Sequence, residues 1–144
     1  MFKKILVPVD IDYPEAARAV YRETAKIAGC FGAEMKLLSV MPGFGMPIVA
    51  SYISEKVRKE VRARFKASVA AFITENYGKS LPFKVRTGKN WEEIIRAAEE
   101  WPADLIVVYH NRRHEINEVF SRSCSQRVAD NANCSVLRLR NIQG

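Results

Sequence analysis

The sequence is poor in the features that would assign a chemistry at sight. It has three cysteines, Cys30, Cys124 and Cys134, in 144 residues. The count is odd and no two form a Cys-x-x-Cys pair, which argues against a disulfide framework and fits a reducing, cytoplasmic compartment. The two histidines, His110 and His114, lie away from any paired cysteines, so zinc has no donor set. A Gly-x-Ser-x-Gly elbow, a Walker-type phosphate loop and paired carboxylates in a plausible site are all missing, which speaks against an enzyme. Long hydrophobic runs are missing as well. The run from Ile5 to Val9 is far shorter than the roughly 18 apolar residues of a membrane span. It is also too short for a signal peptide, and reads as a buried strand.

What is present suits one globular domain over residues 1–144. Hydrophobic residues make up 48% and charged residues 27%, enough for a single core and too balanced for disorder. The net charge of +7 leaves open an anionic ligand, an acidic partner or nucleic acid. The pattern along the chain is regular. Lys4 to Asp10 reads as a buried strand. Asp12 is a candidate N-cap for a helix that starts at Pro14 and stops at Gly32. Glu34 to Val40 is a second strand, and Pro42, Gly43, Gly45 and Pro47 mark a loop. A long helix follows, apolar at Ile53, Val57, Val61, Phe65, Val69 and Phe72 and basic from Lys56 to Lys66, and ends at Gly78. Pro82 to Val85 is a short strand. Asn90 and Glu93 form a capping-box pattern for the next helix. Asp104 to Val108 is a strand, Val119 to Asn131 a helix and Ser135 to Leu139 the last strand. Such alternation implies an α/β fold with parallel strands, right-handed crossovers and helices on both faces. Ligands then sit at the carboxyl ends of the strands, which gathers Asp10, Val40, Gly88 and the segment after Val108 around one crevice.

Several segments resemble the universal stress protein family. They are Ile5-Leu6-Val7-Pro8-Val9-Asp10 at the start, Gly88-Lys89-Asn90-Trp91-Glu92-Glu93-Ile94-Ile95 before the fourth strand, and Asp104 to Val108. Cys134-Ser135-Val136-Leu137 near the end completes the set. The resemblance implies a three-layer Rossmann-like fold, of the adenine nucleotide alpha hydrolase-like kind, with a five-stranded parallel sheet. The loop from Met41 to Pro47 is similar to the branch of the family that binds ATP. By that resemblance Pro8, Val9, Asp10 and Val40 would surround the adenosine. Asp10 could equally cap the next helix.

The phosphate loop departs from the family's pattern. ATP-binding members carry three glycines and a hydroxyl there, because glycine lets backbone N–H groups approach phosphate oxygens. An ungapped alignment back from Cys134 places those positions at Tyr109, Arg112, Arg122 and Ser123, so only the serine remains. Arg112, Arg113, Arg122 and Arg127, with His110 and His114, concentrate positive charge nearby, and arginine can itself grip phosphate. The expected function is a non-catalytic stress-response regulator with weak or absent ATP binding. It would act as a homodimer through Val136, Leu137, Arg138 and Leu139, with protein partners unnamed and no membrane role. One alternative is a regulator that binds ATP or AMP through arginines. The other, a nucleic-acid module, is disfavoured because acidic residues interrupt the basic helix and no aromatics are interleaved for stacking.

Overall fold

Parallel strands and helices alternate along the computed structural model, which describes residues 1–43, 52–78, 81–111 and 118–140. Their order is β1 (Lys4–Pro8), α1 (Pro14–Phe31), β2 (Glu34–Met41), α2 (Glu55–Tyr77), β3 (Phe83–Thr87), α3 (Asn90–Glu100), β4 (Leu105–His110), α4 (Arg122–Asn131) and β5 (Ser135–Arg140). The sheet runs β3-β2-β1-β4-β5, and every pairing is parallel. The chain therefore moves outward from β1 to β3, then returns to β4 and moves outward the other way. Right-handed crossovers then put α1 and α2 on one face and α3 and α4 on the other. The packing agrees: α1 touches α2, and α3 touches α4.

The two central strands explain the continuous apolar runs. Ile5, Leu6 and Val7 of β1 and Leu105 to Val108 of β4 are buried, because helices cover both faces of the sheet. Asp104 locks these strands together at their amino ends. Its carboxylate accepts the N–H groups of Lys3 and Lys4 at 2.8 and 3.1 Å. Gly32 closes α1 in the left-handed conformation, at φ 63°, where a side chain would be strained.

Several local expectations are corrected. Tyr13, not Asp12, occupies the N-cap position of α1, and its side chain makes no capping bond. The Asp12 N–H is instead taken by the Asp10 carboxylate at 3.0 Å. Lys89 stands at the cap of α3, so Asn90 lies one residue inside the helix. Glu93 does not turn back to complete a capping box, because Arg86 and Arg96 draw its carboxylate away at 2.9 and 2.7 Å. α4 begins at Arg122 rather than near Val119; Val119 and Phe120 form a buried turn before it.

The apolar stripe of α2 is buried only toward its C-terminal end, at Val69, Phe72 and Ile73, while Val57 is 46% exposed. Its 23 residues span ~34 Å, longer than the strands beneath. The first turns of α2 therefore project past the sheet.

Candidate functional site

Strand order reverses between β1 and β4, which puts the expected crevice above the carboxyl ends of these two strands. Pro8 and Val9 form its floor and are buried. Val9 is tied to β2 on both sides: its N–H donates to the Leu38 carbonyl at 2.8 Å, and its carbonyl accepts the Ser39 hydroxyl at 3.3 Å. Asp10 follows, half-buried. Its carboxylate holds the Asp12 N–H and its carbonyl accepts the Tyr13 N–H at 3.2 Å, so Asp10 shapes the turn into α1. Val40 is half-buried near the end of β2. Beside it the Gly88 N–H donates to the Met41 carbonyl at 3.0 Å. Gly88 sits at φ +146°, and a Cβ there would meet Glu93 Cγ at 3.0 Å. Glycine is therefore required at this corner.

Tyr109 belongs to β4 and points inward. Its ring is 4% exposed and stands edge-on to Phe120, with centroids 5.3 Å apart. The Asn111 amide reaches the Tyr109 hydroxyl at 3.4 Å, and the Asn111 N–H donates to the Phe120 carbonyl at 3.0 Å. These contacts pin the two ends of the β4–α4 connection. Arg112, Arg113 and His114, expected to line the crevice, lie outside the described residues, as does the loop beyond Gly43 up to Pro47.

The N-terminus of α4 is capped by Ser121, whose buried hydroxyl accepts the Cys124 N–H at 3.0 Å. Ser123, half-buried in the first turn, is not the capping residue. Arg122 is exposed on the rim. Together with Ser123, Gln126, Arg127 and Asp130 it borders an open depression of about 710 Å³. Arg127 lies over the Trp91 ring at 5.7 Å. His110 is buried, with Nδ1 3.3 Å from the Ser125 hydroxyl and 3.4 Å from Arg138, and so belongs to the packing between α4 and β5. The structure thus gathers Pro8, Val9, Asp10, Tyr109, Arg122 and Ser123 at the carboxyl end of the sheet. It places Val136, Leu137, Arg138 and Leu139 on β5, all half-buried.

The sequence reading missed a tie across the crevice. The Tyr13 hydroxyl hydrogen-bonds the Glu118 carboxylate, which raises the phenol to about 12. The Glu118 carbonyl accepts the Asn90 amide at 3.3 Å and the Ser121 N–H at 3.1 Å. Glu118 therefore joins the starts of α1, α3 and α4. Nothing in a local pattern announces contacts between segments so far apart in the chain.

Burial pushes the Cys124 thiol up to about 12 and raises that of Cys134, so neither is a ready nucleophile. Among the described residues no group of His, Cys, Asp and Glu could hold a metal, and no helix is long and apolar enough to cross a membrane.

The profile of the universal stress protein family matches residues 1–140. The chain belongs to the universal stress protein family. A universal stress protein of Methanocaldococcus jannaschii is 28% identical over 142 residues, which cover 95% of this chain and 81% of that one. The solved universal stress protein UspA from Lactobacillus plantarum superposes at TM-score 0.65 with 26% identity, covering 96% of this chain and 97% of that one. The protein MJ0577 superposes at TM-score 0.70 with 21% identity, covering 100% of this chain and 99% of that one. Two universal stress proteins of similar fold were solved with nucleotides, one with cAMP and one, from Archaeoglobus fulgidus, with dAMP, both at TM-score 0.55. As a universal stress protein, this chain carries Tyr109 and Arg122 where the resemblance placed glycines.

Proposed function

We propose that this universal stress protein is a non-catalytic, cytoplasmic regulator that works as a homodimer of single-domain chains and binds ATP weakly or not at all. One observation carries the reading of the crevice. Tyr109 is wedged against Phe120 at the end of β4, where an ATP loop would begin with glycine. A triphosphate needs several backbone N–H groups turned toward it, and here the strand exit is committed to side-chain packing. The outer edge of β5 supports the dimer. Among the described residues it pairs with β4 alone, and half-buried Val136, Leu137 and Leu139 offer apolar contact.

A second reading has its own observation. Arg122, Ser123 and Arg127 border the open depression at the start of α4, and such a rim suits one phosphate better than three. The relatives solved with cAMP and dAMP held nucleotides with a single phosphate. AMP is therefore the nucleotide most compatible with this crevice.

Calorimetric titration with ATP, ADP and AMP, beside light scattering for mass, tests both. A dimer without heat from ATP at millimolar concentration is expected. Micromolar ATP binding that is lost in Asp10→Ala would overturn the first reading. AMP binding weakened by Arg122→Ala would establish the second.

A further inference from the structure

The other edge of the sheet carries a different surface. Among the described residues β3 pairs with β2 alone, and its outer side has no strand partner there. Two bonds set which backbone groups face outward. The Leu37 N–H donates to the Pro82 carbonyl, and the Gly88 N–H to the Met41 carbonyl, both at 3.0 Å. In a parallel ladder alternate residues serve the same neighbour. Lys84 and Arg86 therefore turn their backbone groups to β2, while Phe83, Val85 and Thr87 turn theirs outward.

Beside this edge an open groove of about 490 Å³ runs between α2 and β3. Arg62 and Lys66 line it from α2, and Lys84 and Arg86 from β3. The one carboxylate in the lining, Glu93, is held by Arg86 and Arg96. Glu100 pairs with Arg86 at 2.6 Å as well as with Lys84 at 3.3 Å, so half-buried Arg86 is held by two carboxylates; the remaining exposed pairs are Arg62 with Glu55 at 3.0 Å and Lys84 with Glu100. Exposed pairs of this kind hold weakly and exchange partners readily. Lys66 joins none of these pairs.

We propose that the β3 edge is a docking strand for an extended, acidic segment of a partner protein. The outward N–H and C=O groups supply the ladder, and Lys66, with Arg62 and Lys84 exchanging out of their exposed pairs, supplies the charge preference, Arg86 being held by Glu93 and Glu100. A second copy does not fit, because apposing two β3 edges would bring the same cations together. A nucleic acid offers phosphates but no alternating donors and acceptors for the ladder. The site lies on the opposite edge from β5, so a β5 dimer leaves it open, and it does not rest on the reading of the crevice.

Amide hydrogen exchange of the full chain tests the proposal, with an acetylated heptapeptide of alternating glutamate and valine as the probe. Saturating peptide should slow exchange at Phe83, Val85 and Thr87 by about tenfold or more. Lys84 and Arg86, already bonded to β2, should change little. The Lys66→Glu/Lys84→Glu variant, checked for folding by circular dichroism, should lose the protection and gain it with the lysine–valine peptide. Three results would overturn the idea: no protection at millimolar peptide, equal protection by the lysine peptide in the unaltered protein, or binding of single-stranded oligonucleotide alone.

Discussion

Tyr13 and Glu118 set the most specific expectation for a single residue. A phenol that donates to a carboxylate holds its proton more tightly in the folded chain, at about 12 against about 10 when unfolded. The contribution to stability is full below pH about 10 and is lost as pH rises through about 12. Ultraviolet titration of Glu118→Gln should move one tyrosine from near 12 back toward 10. An unchanged titration would mean that the contact is not made in solution. Gly88 gives a second expectation. A Cβ at φ +146° would press on Glu93 Cγ at 3.0 Å and Oε2 at 3.1 Å. Gly88→Ala should cost on the order of 1–3 kcal/mol, read as a lower urea midpoint. The same side chain links Glu93 to Arg86, so β3 should loosen with it.

The elements show how a signal can be right in kind and misplaced by a few residues. The last helix was expected to begin near Val119, yet Ser121 makes the cap and α4 begins at Arg122. Ser121→Ala should cost about 1 kcal/mol in thermal or chemical unfolding, while Ser123→Ala should cost little. Equal losses would contradict the assigned roles. The capping box expected at Asn90 failed for a physical reason. A buried carboxylate flanked by two guanidiniums gains more from those charges than from a backbone N–H. Glu93 is 6% exposed, and only the fold brings Arg86 of β3 against it.

At the scale of the whole molecule, β5 and β3 are the two outer strands of the sheet among the described residues, and they differ in character. β5 offers Val136, Leu137 and Leu139, and β3 is flanked by Arg62, Lys66, Lys84 and Arg86. An apolar edge favours a second copy, and a cationic edge opposes one. For the proposed β5 dimer, Leu137→Glu should therefore halve the mass seen by light scattering, whereas Lys84→Glu should leave it unchanged. A dimer that survives Leu137→Glu would place the contact elsewhere.

The sequence by itself determined the alternation of strands and helices, the parallel sheet, and the stops at Gly32 and Gly78. These are local matters: apolar period, chain stiffness and left-handed glycine act over a few residues. It also pointed to the crevice, because parallel α/β chains put loops at the carboxyl ends of their strands. Only the tertiary structure decided that Tyr109 packs on Phe120, that Tyr13 meets Glu118, and that Glu93 serves Arg86 rather than a helix cap. Tyr13 and Glu118 lie far apart in the chain, whereas Arg86 with Glu93 and Tyr109 with Phe120 meet across the turns that join neighbouring elements. A side chain with several acceptable partners is assigned by whichever charge, ring or carbonyl the fold brings within reach.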